Sequence, residues 1–114
     1  MAISDATMDV VYQAMRGLQA RQKVNADNIA NIQTPGFQAG TVDFESSLQS
    51  AIAGGDPSSA VVQTGRSTAP SRTDGNNVNL DDETLTMVNT NLRYQTMVEA
   101  MNTKFRILRT AIGS

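Results

Sequence analysis

The sequence predicts a mainly α protein in which two long terminal helices pack as a coiled-coil-like pair, with a short helix and an extended or irregular segment between them. Apolar residues recur at alternating spacings of three and four near both ends of the 114-residue chain, which is typical of helices with one apolar stripe. Serine, threonine, glycine and proline dominate much of the middle, where this pattern stops. The predicted boundaries are residues 1–37, 38–79 and 80–114, and both terminal helices contribute to one structural domain.

The first helical pattern extends from about Asp5 to Asn31. Its heptad positions are 8, 11, 15, 18, 22, 25, 29 and 32, and six of these eight are apolar, Gln22 and Asn25 being the exceptions. A polar residue at such a position often sets the register of a helix pair. The pattern therefore predicts one long amphipathic helix with two polar interruptions near its end.

The segment Asn28–Phe37 combines several signals that end a helix. Pro35 has no N–H group and disfavours helical geometry at Thr34. Gly36 can take a positive φ angle, so Pro35 and Gly36 together fit the centre of a type II turn. Phe37 follows as an apolar anchor. An ordinary helix end needs only one of these devices, so their combination indicates a functional signature.

The middle of the chain has weaker patterns. Residues 41–53 predict one short amphipathic helix with Thr41 or Asp43 as its N-terminal cap. From Gly54 to about Thr73 the composition indicates loop, extended chain or disorder. This stretch is too long for a tight connection, so we expect it to be functional or ordered by a partner.

The second long helix is predicted from about Asp81 to Ile112. Its heptad positions are 87, 91, 94, 98, 101, 105, 108 and 112, and seven of these eight are apolar. Acidic residues cluster at its start and basic residues near its end, as the helix dipole favours. A turn at Asp74 and Gly75 precedes it, and Asn79 or Asp81 is the expected N-terminal cap.

Composition argues against most chemical functions. Cysteine and histidine are absent, which removes disulfides, thiolate nucleophiles, imidazole acid–base chemistry and Cys/His metal sites. The net charge is −2 with both signs scattered, so no basic surface for nucleic acid is expected. We predict no enzymatic activity, no cofactor and no small-molecule substrate. The start of the chain predicts no cleaved signal peptide.

The oxygen-rich stretch from Asp74 to Glu83 invites a calcium interpretation. A calcium loop of the EF-hand type needs an oxygen ligand at position 5 and a glycine at position 6. Counted from Asp74, those positions hold Val78 and Asn79. We therefore interpret the stretch as a turn and a helix cap and predict no metal.

The apolar stripes allow two interpretations. They form the core of a helical hairpin within one subunit, or part of each stripe is left for neighbouring subunits. Methionine recurs in both stripes and adapts to irregular partners. The residues predicted at subunit interfaces are Met8, Val11, Met15, Leu18, Asn28, Asn31, Phe37, Tyr94, Val98, Met101, Phe105, Leu108 and Ile112.

Two blocks of the sequence resemble the flagellar basal-body rod protein family of bacteria. The first is Asn28–Phe37, which is similar to the signature shared by rod, hook and related axial proteins. The second is Asp74–Leu80, followed by Leu92–Gln95 and Lys104-Phe105, and it is more typical of the proximal rod member than of the other rod proteins. The turn and signature residues are Thr34, Pro35, Gly36, Asp74, Gly75, Asn76 and Asn77.

The resemblance implies a structural subunit of the proximal rod, which polymerises through its terminal helices into a helical tube that transmits motor torque. It implies export by the flagellar type III apparatus and a location in the periplasmic rod of the basal body. The implied partners are other rod proteins, the MS-ring protein and the rod adaptor protein, together with further copies of the chain.

An alternative from another class is a small secreted helical-hairpin protein of a different export system, acting as a dimer or adaptor. Such hairpins usually have a Trp-x-Gly turn, which this chain lacks, and here about 40 residues separate the helices. An image of the assembled state distinguishes a tube from a discrete soluble dimer.

Overall fold

The structure is a computed structural model that describes residues 2–113, with side chains from residue 7 onward. It extends 64 × 28 × 14 Å along its principal axes. The predicted mainly α fold, with two long terminal helices and a short one, is confirmed. In chain order the elements are α1 (Ala2–Ala30), β1 (Gly40–Asp43), α2 (Glu45–Ala53), a 3₁₀ turn (Pro57–Ser59), β2 (Gln63–Arg66) and α3 (Leu80–Gly113).

Helices α1 and α3 lie side by side and run in opposite directions. Gln19 Nε2 donates to the Tyr94 hydroxyl at 3.1 Å, and Asn25 Nδ2 donates to Glu83 Oε2 at 2.6 Å. As residue numbers increase along α1, the residue numbers of their partners on α3 decrease. Among residues 2–113, neither these helices nor α2 is long and apolar enough to cross a membrane.

The start of α3 has one of the two N-terminal caps that the sequence predicts. Asn79 Oδ1 accepts hydrogen bonds from the backbone N–H groups of Asp81 at 2.9 Å and Asp82 at 3.2 Å, which is the geometry of an N-terminal cap. The first turn also carries Asp81, Asp82 and Glu83, whose charges the helix dipole stabilises. Asn79 is therefore the cap, rather than Asp81.

The middle segment contains a small antiparallel sheet that the sequence analysis did not predict as such. Strands β1 and β2 pair with Gly40 opposite Arg66 and Asp43 opposite Gln63. Because residues 41–43 belong to β1, the prediction of a helix from residue 41 was wrong at its start. The expected cap at Thr41 or Asp43 was also wrong, since α2 begins after Phe44 with no side-chain cap hydrogen bond.

The apolar core is small, and its largest buried side chain, Phe44, packs where the start of α2 meets the middle of α1. Phe44 is 5% exposed, and its ring lies so close to α1 that a Cβ atom built on Gly17 would be 2.2 Å from it. Leu18, which is 2% exposed, is the neighbouring buried residue of α1. Only Gly17 gives the ring this close approach, so the glycine inside α1 is a packing requirement rather than a weak point.

Candidate functional site

The end of α1 has the turn that the sequence predicts. The Phe37 N–H donates to the Thr34 carbonyl at 3.3 Å, and Gly36 has a φ angle of +75°. A proline at the second position and a positive φ at the third define a type II turn. The predicted Pro35-Gly36 turn is therefore confirmed.

Asn76, in the second signature block Asp74–Leu80, donates hydrogen bonds to carbonyl groups at the end of α1. Its side chain is 0% exposed. Nδ2 donates to the carbonyls of Asn31 and Thr34, both at 2.8 Å, and Oδ1 accepts from the Val78 N–H at 2.8 Å. The last carbonyls of a helix have no partner within the helix, and Asn76 supplies partners to the chain leaving α1 from 45 and 42 residues away.

The Asn77 side chain likewise bonds to backbone groups, here those of the middle segment. Its Oδ1 accepts from the Ala39 N–H at 2.6 Å. Its Nδ2 donates to the carbonyls of Ser67 and Ala69, each at 3.1 Å. One buried amide therefore ties the chain before β1 to the chain after β2.

The two signature turns lie back to back. The Gly36 N–H donates to the Asp74 carbonyl at 2.8 Å, and Gly75 has a φ angle of +83°. A Cβ atom on Gly75 would lie 3.2 Å from the Gly36 Cα, so the approach leaves little room for a side chain. Arg72 adds a hydrogen bond from Nη2 to the Ile32 carbonyl. Each turn thus supplies backbone groups that complete the other.

Asn28 and Asn25 extend this contact to α3. Asn28, 2% exposed, accepts from the Gly40 N–H at 2.7 Å and donates to the Gly40 carbonyl and Glu83 Oε1, both at 3.0 Å. Asn25, 4% exposed, donates to Glu83 Oε2 and to the Glu83 backbone carbonyl at 2.9 Å. The two carboxylate oxygens of Glu83 therefore each accept a hydrogen bond from one of these asparagine amides.

We call these five residues, Asn25, Asn28, Asn76, Asn77 and Glu83, the asparagine joint. In the described part of the chain, no buried side-chain nitrogen or oxygen lacks a hydrogen-bond partner. A fully satisfied buried network of this kind specifies one arrangement, because any displacement leaves a polar group unpaired. The Glu83 carboxylate is held by two amide donors, so the joint is a rigid connection between elements.

The stretch that suggested calcium has this structural role. Asp74 Oδ1 accepts from the Asn76 N–H at 3.0 Å, and Asn79 caps α3. Within the described residues, no group of three or more histidine, cysteine, aspartate or glutamate side chains is arranged to hold a metal ion. The side-chain oxygens of Asp74 and Asn79 accept from backbone N–H groups, and those of Glu83 accept from the amides of Asn25 and Asn28.

A second polar contact, which we call the Glu45 clamp, consists of Arg21, Glu45 and Arg93. Arg21 Nη1 and Nη2 donate to the two Glu45 oxygens at 2.8 and 2.7 Å, and Arg93 Nη1 lies 3.3 Å from Glu45 Oε2. The hydrogen bond from Arg21 lowers the pKa of Glu45 to about 2, although burial opposes this shift. The clamp connects the start of α2 to both long helices.

Arg21 also holds β1 and Phe44 in place. Its Nη2 donates to the Val42 carbonyl at 2.8 Å, and its guanidinium lies 5.0 Å from the centre of the Phe44 ring. The same hydrogen bond to Glu45 raises the pKa of Arg21. One side chain of α1 thus positions the strand, the aromatic core residue and the first turn of α2.

The residues predicted at subunit interfaces occupy three environments, and their contact with another subunit stays a prediction. Leu18 and Asn28 are buried inside the subunit, while Phe105 and Ile112 are 48% and 84% exposed. The half-buried members are Met8, Val11, Met15, Asn31, Phe37, Tyr94, Val98, Met101 and Leu108.

Sequence reasoning missed three residues of these contacts. Glu83 was assigned only to the helix dipole, and Arg21 and Glu45 were not singled out. Glu83 is 55 and 58 residues from its asparagine partners, so no local pattern connects them. Asn25 could be noticed from the sequence, because it is a polar residue at a heptad position of an otherwise apolar stripe.

The sequence of most of α1 and of the turn that follows it matches a known protein family. Residues 8–38 match the family described as "Flagella basal body rod protein". The chain is 32% identical to the flagellar basal body rod protein FlgB of Bacillus subtilis (strain 168), over 98% of this chain and 97% of that protein. The chain belongs to the FlgB family of flagellar basal body rod proteins.

Two further relatives show the same coverage. FlgB of Escherichia coli (strain K12) is 30% identical over 96% of this chain and 95% of its own length. FlgB of Borrelia hermsii is 28% identical over 98% of this chain and 99% of its own length. The similarity therefore includes the middle segment and α3 as well as the signature turn.

Proposed function

We propose that this protein is a structural subunit of the proximal rod of the flagellar basal body, which polymerises through its terminal helices into a helical tube that transmits motor torque. The observation that carries the proposal is the surface of α3. Of the eleven large apolar side chains exposed among the described residues, eight lie on α3: Leu80, Leu85, Met87, Val88, Leu92, Phe105, Ile107 and Ile112.

These side chains form one group in each half of α3, and exposed apolar groups of this size are costly in water and indicate surfaces that another protein covers. The buried apolar side chains of the described subunit are few, and six buried side chains are polar, among them Gln13 and Thr90. Much of the apolar surface of the isolated subunit thus stays in contact with water. Burial of α3 between subunits supplies the stabilisation that a single copy lacks.

The finer details of the proposal rest on the family. We assign to the protein a position in the periplasmic rod, export by the flagellar type III apparatus without a cleaved signal peptide, and contacts with the other rod proteins, the MS-ring protein and the rod adaptor protein. The relatives are named as basal body rod proteins, which supports assembly with components of the basal body.

The packing between α1 and α3 is proposed to be coiled-coil-like over the part beyond the joint. Tyr94, Val98, Met101 and Leu108 are half-buried on α3, and they follow the spacing of a heptad seam. The exposed Phe105 and Ile112 lie on the same heptad positions. We assign these two residues to contacts with neighbouring subunits.

The proposal contains no catalytic role. The chain has no histidine or cysteine, and the buried polar groups described above are hydrogen-bonded amides and a carboxylate that receives two of them. These groups hold elements together, which is what a structural subunit requires.

The test is deletion of the gene and complementation with variants. We expect the deletion strain to be non-motile and to lack rods in electron micrographs of purified basal bodies. Val98→Asp and Leu108→Asp should be exported but fail to restore the rod, because a charge then lies in a half-buried apolar seam. Gln95→Asp, at an exposed position of the same helix, is the matched control and should restore motility. Intact rods in the deletion strain, or normal motility of both seam variants, would overturn the proposal.

A further inference from the structure

The N-terminal half of α3 has an apolar ridge made of Leu85, Val88 and Leu92. These side chains are 70%, 57% and 64% exposed. Positions three and four apart share one helix face, so the three form a continuous strip roughly 10 Å long at about 1.5 Å per residue. The ridge points away from α1, in contrast to Thr90, which is 2% exposed.

An apolar cleft opens on another side of the same helix pair. Ala26, Ile29 and Ala30 of α1 and Met87 of α3 form its apolar lining, with Gln22, Asn25 and Asn91 beside them, and its volume is about 440 Å³. From Gln22 to Ala30 the cleft is roughly 12 Å long at about 1.5 Å per residue. It is therefore long enough to receive the ridge.

The ridge and the cleft cannot meet within one subunit. At 3.6 residues per turn, Met87 and Asn91 are roughly a third of a turn around α3 from the ridge. Contact between two different surfaces of identical chains is heterologous, and it repeats from copy to copy unless a ring closes. Methionine in the cleft adapts its shape to an inserted side chain.

We infer that the cleft of each subunit holds the Leu85–Val88–Leu92 ridge of a second copy of this chain. The inference rests on the proposed function, because it names the contact through which subunits of the tube associate. It requires no segment other than those already described, since the ridge and cleft match in length and in apolar character.

Charge determines the direction of the inserted ridge. Lys23 lies on the exposed side of α1 next to Ala26 and Ala30, and Asp81 and Asp82 lie at the N-terminal end of the ridge. Among the described residues, none of these three charges takes part in an ion pair. Opposite charges attract across such a contact and fix its register. The ridge of one copy therefore runs parallel to α1 of the next, with Leu85 near Gln22 and Val88 near Ala26.

The absence of cysteine from the chain makes a disulfide test direct. Cells that express two full-length copies, one with Val88→Cys and one with Ala26→Cys, are oxidised, and their basal bodies are purified. We expect a disulfide-linked dimer on non-reducing gels that disappears on reduction. Val88→Cys paired with Ala53→Cys, an exposed alanine at the end of α2, should give no dimer.

The outcomes separate this inference from the proposed function. Both variants present in the rods without a dimer would overturn the inference alone, as would a dimer from Val88→Cys by itself, which indicates a two-fold contact. If the chain is absent from basal bodies, the proposed function fails as well. For direction, Leu85→Cys should link to Gln22→Cys and not to Ala30→Cys, and the reverse result would overturn the parallel arrangement.

Discussion

The asparagine joint and the outer face of α3 differ in polarity, burial and the origin of their partners. In the joint, the four asparagine side chains are buried, and every buried side-chain nitrogen and oxygen of the described residues has a partner within the subunit. On the outer face, Leu85 and Leu92 are more than 60% exposed and no part of the subunit covers them. Hydrogen-bonded amides demand one geometry, whereas apolar contacts tolerate several. The subunit thus fixes its own shape through polar groups, while much of its apolar surface stays exposed.

The largest effect on the isolated subunit is expected from Asn76→Ala. The change leaves the carbonyls of Asn31 and Thr34 and the N–H of Val78 without the partner they have now. The two carbonyls keep the Thr34 and Phe37 N–H groups as donors, but the buried Val78 N–H is left unpaired. Three hydrogen bonds are lost in all, so we expect a loss of about 3 kcal/mol in the free energy of unfolding, measured by urea denaturation. Asn102→Ala, at an exposed position of α3, is the matched control and should change it by less than about 0.5 kcal/mol. Equal effects of the two variants would contradict the special role of the joint.

Gly17→Ala should have the next largest effect. The new methyl group would lie 2.2 Å from the Phe44 ring, and overpacking of this kind costs about 1–3 kcal/mol. Alanine is the better helix former by about 1 kcal/mol, so the net loss should be roughly 0–2 kcal/mol. In a Phe44→Ala background the same change should be neutral or stabilising, and a thermal-melting double-mutant cycle measures the difference. A loss that persists without the ring would show that the contact is not its cause.

A smaller effect is expected at the Glu45 clamp, and it depends on pH. Because the hydrogen bond from Arg21 lowers the pKa of Glu45 from 4.5 to about 2 in the folded state, the stabilisation is present above about pH 4.5 and is lost as the pH falls towards 2. Solvent screening limits it to about 0.5–1 kcal/mol. Glu45→Gln should flatten the acid side of a stability–pH curve, whereas Glu99→Gln on the exposed side of α3 should not. An unchanged slope in Glu45→Gln would argue against the clamp.

The smallest effect on the subunit, and a severe one on assembly, is expected from Leu92→Gln. Glutamine and leucine have similar helix propensities, and Leu92 is 64% exposed, so the free energy of unfolding should change by less than about 0.5 kcal/mol. Motility should nevertheless be lost, because the polar side chain enters the proposed contact between subunits. The same substitution at Leu18, which is 2% exposed, should destabilise the subunit itself. A motile Leu92→Gln strain would remove the distinction between the two regions.

Local sequence signals were sufficient for the helices and the signature turn. The apolar spacing predicted α1 and α3, and Pro35 with Gly36 predicted the turn that the Phe37 N–H completes. Asn79 was one of two predicted caps because its side chain precedes a cluster of acids. Each of these features depends on residues within a few positions of one another, which is the range over which propensity and capping operate.

The small sheet and most of the joint depend on distant partners. The edge of β1 that does not pair with β2 bonds to side chains of α1. Asn28 bonds to both the N–H and the carbonyl of Gly40, and Arg21 donates to the Val42 carbonyl. Without those side chains, residues 40–43 have little to distinguish a strand from the start of a helix. Asn28 was expected at a subunit contact because it lies in the signature segment Asn28–Phe37, and no local pattern pointed to partners inside the subunit. Its partners lie 12 and 55 residues away.

The joint also determines how the subunit responds to mechanical load. Three separate stretches of the chain meet there: the end of α1, the turn around Gly75 and the first turn of α3. A force that slides α1 against α3 meets the bonds of Asn25 and Asn28 to Glu83 side by side, so they share the load and must break together. A force that peels the middle segment away meets the bonds of Asn77 to Ser67 and Ala69 first. The subunit is therefore expected to be stiff against sliding of α1 along α3 and compliant towards displacement of its middle segment.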